Sequence, residues 1–295
     1  MIGTSIASKI ERAVPPLGTV IDLDGERIHY VDRGSGAPIV LIHGLAGNLR
    51  NYTYALVDRL ANDFRVIALD RPGSGYSPRS HKTSASLAAQ SATIARLIHA
   101  LGLERPLVVG HSLGGAVSLA LALNHPESAG ALALLAPLTQ VREKVPNAFR
   151  GLDIHSPLLR AIVAHTVAAP IAMKTGPDVV RAIFKPEAVP DDFATRGGGL
   201  LGMRPEGFYA SSSDMIEVHR GMTDLVARYP HLNLPIGILF GTDDAILDYK
   251  IFGEGFVAQV PQAELTLIPG AGHMLQITQP EKTAAWITSR AALSR

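Results

Sequence analysis

The chain contains no cysteine among its 295 residues. Disulfides, thiolate metal sites and a cysteine nucleophile are therefore excluded, and the absence is compatible with a reducing compartment. Aromatic residues are scarce, at 5%, which argues against a pocket built to stack large ring systems. Neither sign of charge dominates: 27 Lys and Arg against 26 Asp and Glu leave a formal net charge of +1. No run of five basic residues occurs, so nucleic acid is not an expected partner. Long apolar runs are missing too. The longest, residues 129–138 and 161–173 (the second interrupted by His165), fall short of the roughly 20 residues that span a bilayer. Residues 1–9 lack a basic segment followed by an apolar one, so no secretory signal is expected. A soluble, cytoplasmic protein follows. Peripheral membrane contact has two candidate segments, residues 161–173 and the N-terminus with Ile2, Ile6 and Ile10 at helical spacing. The favoured alternative is that both pack on the body of the protein. No His-x-His or His-Glu-x-x-His occurs, so neither a metal nor a cofactor is expected.

What is present is a 47% hydrophobic chain, long enough to bury a large core. Thr19–Leu23 and residues 27–32 alternate apolar with polar about Asp24-Gly25, which predicts a β-hairpin. Short apolar runs at residues 39–42, 66–69, 107–109, 131–135 and 236–240 predict strands buried on both faces, and residues 265–268 predict a further strand. Between them, helices are predicted over 49–60, 84–101, Leu113–Asn124, 253–259 and 280–293. This alternation indicates an α/β protein with a mostly parallel sheet of eight strands flanked by helices. From 138 to 229 the pattern changes. No strand is predicted, and helical pieces are punctuated by Pro146, Pro157, Pro170, Pro177, Pro186, Pro190 and Pro205. Residues 1–137 and 230–295 are thus expected to form the core, with 138–229 an inserted helical cap over the carboxyl edge of the sheet.

The most informative local sequence is Gly110-His111-Ser112-Leu113-Gly114, directly behind the apolar run at 107–109 and ahead of a small-residue helix. G-x-S-x-G in that setting is a nucleophile elbow: the serine sits in a strained strand-to-helix turn, and a Cβ on either glycine would clash. A serine hydroxyl needs a base, and the base needs an orienting acid. In this topology both follow the serine in the chain, the acid first. Of the 11 histidines, His273 follows a strand, in the loop Pro269-Gly270-Ala271-Gly272-His273. The acid is expected after residues 236–240, in Gly241-Thr242-Asp243-Asp244. The spacing favours Asp244, with Asp243 a solvent-facing turn residue and Asp248 a distant third. Backbone amides of Leu45 and Leu113 are the expected oxyanion donors. The candidate substrate pocket comprises His43, Gly44, Ile162, Phe184, Met203 and Met274. For His43 the favoured reading is a residue that ties its loop down, and the apolar cap residues are equally a core of the cap itself, the better reading for any single one of them.

Five segments together carry a resemblance: Val40-Leu41-Ile42-His43-Gly44, Asp70-Arg71-Pro72-Gly73-Ser74-Gly75-Tyr76-Ser77, Val108–Gly115, Leu239–Asp244 and Gly270–His273. The chain resembles the capped α/β-hydrolases, the group of epoxide hydrolases, haloalkane dehalogenases, cofactor-free haloperoxidases and small esterases. The resemblance implies the α/β-hydrolase fold and a triad of Ser112, His273 and Asp244. Epoxide hydrolases and haloalkane dehalogenases use an aspartate at the elbow, where this chain has Ser112. The C–C bond hydrolases often carry Asn before the serine, where this chain has His111. The expected activity is therefore hydrolysis of small to medium carboxylic esters by a monomer or homodimer. Perhydrolysis, C–C bond hydrolysis and a receptor role on the same fold are the alternatives.

Overall fold

The runs that are apolar at every position form the middle of a single sheet. In the computed structural model, which describes residues 2–142 and 145–292, eight strands are present: β1 (Thr19–Leu23), β2 (Glu26–Arg33), β3 (Pro38–Ile42), β4 (Arg65–Leu69), β5 (Leu107–His111), β6 (Ala131–Leu135), β7 (Ile236–Gly241) and β8 (Ala263–Ile268). Their spatial order is β1-β2-β4-β3-β5-β6-β7-β8. β1 and β2 form the hairpin, with φ of +56° at Asp24 and +87° at Gly25, as a tight turn between twisted strands requires. β2 pairs antiparallel with β4, and every pairing from β4 to β8 is parallel. Because successive side chains point to opposite faces, each central strand feeds two cores. Val40, Ile42 and Val108 join Ile94, Leu97 and Val117 on one side. Ile39, Leu41 and Val109 join Leu60, Trp286 and Ile287 on the other. This double burial is why the central strands read as continuous apolar runs rather than as alternation.

Parallel strands place all their carboxyl ends at one edge. The loops after β3, β5, β7 and β8 therefore converge there, and these are the loops that carry Gly44-Leu45, Ser112, Asp243-Asp244 and His273. Between β6 and β7 lie the helices Pro157–Thr166, Ala168–Phe184 and Pro205–Ala227, and no strand occurs among the described residues of 138–229.

Several element boundaries differ from the sequence expectation. Residues 49–60 form two single turns, Arg50–Thr53 and Val57–Leu60, rather than one helix. The bend lets Tyr52, Leu56, Val57 and Leu60 all reach the core, with the Tyr52 hydroxyl donating to Ile42 O at 3.0 Å. Burial outweighs the regular path of a short helix here. The expected helix at 253–259 begins earlier, as a wide turn over Lys250–Glu254 that runs into Gly255–Val257. Prolines start helices as often as they stop them. Pro157 and Pro205 occupy first turns, where the missing N–H costs nothing, and Pro177 sits inside Ala168–Phe184. The last helix is described over Pro280–Ala291; its expected end at Leu293 lies outside the described residues, as do Met1, Glu143 and Lys144. The N-terminal helix Ile2–Ala13 docks on the body: Ile10 and Val14 are buried with Leu201. Arg204 donates to Glu11 Oε1 at 3.0 Å.

Candidate active site

Ser112 has φ +55° and ψ −119°, a region that L residues avoid and that occurs where the surroundings over-determine it. Three contacts do so. Ser112 N donates to Leu135 O at 3.0 Å, and Ser112 O accepts from Gly115 N at 2.9 Å and Leu138 N at 3.0 Å. The flanking glycines are fixed sterically. A Cβ on Gly114 would stand 2.1 Å from Ile42 O, and one on Gly110 would stand 2.4 Å from Ser118 Oγ. Both glycines of G-x-S-x-G are therefore set by close approach rather than by positive φ. Ser112 Oγ makes no hydrogen bond among the described residues and stands partly exposed at the floor of a cavity.

His273 lines the same cavity and is 3% exposed. Its Nδ1–H donates to Asp244 Oδ2 at 2.7 Å, so in the neutral ring Nε2 keeps the lone pair. Asp244 is fixed in turn, because Oδ1 accepts from Ile246 N at 2.7 Å and Leu247 N at 2.9 Å. Asp243 is exposed, beside Thr242 Oγ1 at 2.8 Å, and Asp248 is exposed and accepts from Lys250 N. The histidine loop is held from both sides. Glu187 Oε2 accepts from Gly272 N at 3.0 Å, and His111 Nε2–H donates to His273 O at 3.0 Å.

Leu45 follows a loop that touches the elbow: a Cβ on Gly44 would stand 3.0 Å from Ser112 Cβ. Leu113 is the first residue of Leu113–Asn124, so its amide lacks an intrahelical acceptor. Among the described residues neither amide donates to a backbone carbonyl. Both are thus open donors flanking Ser112, at the positive end of a 12-residue helix.

The cavity, of about 330 Å³, is lined in part by residues of the helical segment, among them Val163, Ala168 and Met203. Of the six candidate pocket residues, Gly44, Phe184, Met203 and Met274 line it. His43 and Ile162 do not, which corrects that part of the expectation. Ile162 is 52% exposed on the outer face of its helix. His43 is wholly buried behind the loop: its Nε2 accepts from Arg71 N at 2.9 Å and its Nδ1–H donates to Gly44 O at 2.8 Å. Sequence reasoning missed the anchor of this loop. Arg71, itself fully buried, donates to His43 O at 2.9 Å and Gly44 O at 3.0 Å and pairs with Asp214 at 2.8 Å. Asp214 also holds Arg79 at 2.6 Å. Arg71 lies within one of the five segments that carry the resemblance, but Asp214 is 143 residues away in the chain and carries no local signal.

Burial, reinforced by the Arg71 charge, holds the His43 pKa well below its ordinary value. Burial, reinforced by His273, does the same for His111. Folded-state values depressed in this way give stability that is complete above the unfolded value, about pH 6.5. It is lost as pH falls, because the unfolded chain takes up protons that the native chain refuses. Each histidine is expected to contribute up to about 1.4 kcal/mol of lost stability per pH unit below that point. Urea unfolding at pH 7.5 and pH 5.5 checks this; an unchanged midpoint would show that neither ring is held neutral.

Comparison with known proteins agrees with this architecture. A family model described as alpha/beta hydrolase fold matches residues 37–162. The chain is 43% identical over 119 residues to a dihydrolipoyllysine-residue acetyltransferase component of the acetoin cleaving system from Cupriavidus necator, a match to 40% of this chain that spans only 31% of that relative's length. It is 26% identical over 267 residues to a pimeloyl-[acyl-carrier protein] methyl ester esterase from Vibrio vulnificus, covering 86% of this chain and 94% of the relative. Among solved structures, a thermophilic esterase from Thermogutta terrifontis superposes with a TM-score of 0.74 at 26% identity, covering 94% of this chain and 97% of that one.

Proposed function

The chain belongs to the α/β-hydrolase superfamily, and on that premise we propose that it is a serine hydrolase cleaving small to medium carboxylic esters through an acyl-enzyme. The observation that carries this reading is the strained Ser112, with no side-chain hydrogen bond of its own, on a cavity shared with His273, whose Nδ1 is held by Asp244. Ser112 Oγ attacks the ester carbonyl as His273 Nε2 takes its proton, and the C–O bond to the alcohol breaks as His273 returns it. Water then attacks the acyl-enzyme by the same route and releases the acid. Asp244 holds the imidazole in the tautomer that can accept the proton, and the Leu45 and Leu113 amides receive the developing oxyanion. Residues 138–229 act as a cap whose inner face selects the acyl and alcohol groups, on a core of 1–137 and 230–295. No described helix is long and apolar enough to cross a membrane; a cytoplasmic location fits the cysteine-free sequence.

Initial rates on p-nitrophenyl esters from acetyl to dodecanoyl test the reading. Turnover with an optimum at short or medium acyl length is expected, since a cavity of about 330 Å³ lies at the small end of ligand pockets. Stoichiometric labelling of Ser112 by a fluorophosphonate should abolish it. Absence of both turnover and labelling would overturn the assignment.

A further inference from the structure

A second, smaller cavity opens on Ser112. It has a volume of about 80 Å³ and shares Leu45, Ser112 and Phe149 with the larger one. Its other walls include Leu138, Met222 and Leu247, and its polar groups are Gln140, Arg142 and, at the exposed rim, His219. Among the described residues no Asp or Glu lines it.

Two observations make its polar end unusual. Gln140 Nε2 is buried without a hydrogen-bond partner among the described residues, a state that native proteins rarely leave unexplained. Arg142 is only partly satisfied. Its Nη2 donates to Ile246 O at 2.8 Å and its guanidinium lies 5.7 Å from the Phe252 ring centroid, yet no carboxylate pairs with it among the described residues. The negative group that bears on it, Asp244, has both oxygens engaged, one by His273 and the other by the Ile246 and Leu247 amides. The cavity thus offers a cation with open donors, with Gln140 beside it and an apolar wall leading back to the serine.

We propose that this cavity is an anion subsite, and that the preferred substrates are esters bearing a carboxylate or similar oxyacid group on the part that enters it. The inference rests on the serine-hydrolase reading above and narrows its substrate class. The guanidinium complements an oxyanion in charge and in the kind of donor it offers. A neutral alkyl chain of equal length leaves it unpaired, and a site with an unpaired buried polar group discriminates against the ligand that leaves it so.

The test compares kcat/KM for monomethyl adipate, methyl hexanoate and the methyl ester of adipamic acid, which match in length and differ in the charge and polarity of the far end. For the wild type, the half-ester should exceed methyl hexanoate by about tenfold or more, with the amide between them. In Arg142→Met and Gln140→Leu the ratio should fall toward parity, and Arg142→Lys should keep part of it. Each ratio is taken within one protein, so loss of folded enzyme in a variant cancels. A wild type that prefers methyl hexanoate, or a ratio unmoved by Arg142→Met, would overturn the anion subsite alone. Failure to hydrolyse any of these esters or the p-nitrophenyl series would overturn it together with the hydrolase reading.

Discussion

Ser112→Ala is expected to lower kcat on p-nitrophenyl esters by about 10⁶-fold, leaving the small residual rate that binding and oxyanion stabilisation alone supply. The fold should survive the change. Ser112 Oγ forms no hydrogen bond among the described residues, so its removal strands no buried partner. The positive φ of +55° is imposed by the backbone bonds to Leu135, Gly115 and Leu138, all of which alanine keeps. Thermal unfolding followed by circular dichroism should therefore give a midpoint at or slightly above that of the wild type. Stability held while activity disappears is the signature of a residue whose strain serves chemistry. Retained esterase activity in a folded Ser112→Ala protein would remove Ser112 from the mechanism.

Much of the architecture was legible in the sequence because the central strands are buried on both faces. Burial of this kind leaves runs such as Val40-Leu41-Ile42 and Leu107-Val108-Val109 with no polar position, and few other settings produce them. The hairpin was legible for a different reason, since Asp24-Gly25 supplies the two positive φ angles its turn needs. The helical segment was harder. Residues 161–173 are apolar on nearly every side, so periodicity could not say which face turns inward. Val163 reaches the cavity, while Ile162, one position away, is turned to solvent. A helix without a polar stripe carries no mark of its outer face.

In the candidate site, the residues that chain order and loop position single out, Ser112, His273 and Asp244, were nameable from sequence. Those that position them were not. Arg71 braces the Gly44 loop through two carbonyls and is neutralised by Asp214. Nothing in the residues around either one announces a partner on another element. The same holds for Glu187, whose carboxylate steadies Gly272 across 85 residues of chain. Local pattern reports what a residue is for when its neighbours in sequence are its neighbours in space. Long-range polar pairs break that condition, and here they carry the precision of the site.

Asp244→Asn is expected to lower kcat/KM by about 10⁴-fold, and the reason lies in which oxygen must remain an oxygen. Asp244 Oδ1 accepts two backbone amides, Ile246 N at 2.7 Å and Leu247 N at 2.9 Å. An asparagine must keep its carbonyl there, because turning the NH2 group toward two N–H donors would leave three donors without an acceptor. The NH2 is thereby forced into the Oδ2 position, 2.7 Å from His273 Nδ1. Nδ1 must then accept, which moves the imidazole proton to Nε2, the nitrogen that has to receive the proton of Ser112. The variant keeps its shape and holds the wrong tautomer. Unfolding midpoints should shift little, and activity should recover partly at high pH, where hydroxide can stand in for the missing base. Asp244→Ala removes the forced tautomer along with the carboxylate and is expected to retain more activity than Asp244→Asn, a reversal of the usual ranking of conservative and drastic substitutions. Rates within tenfold of wild type in Asp244→Asn would dismiss Asp244 as the orienting acid and direct attention to Asp243 and Asp248.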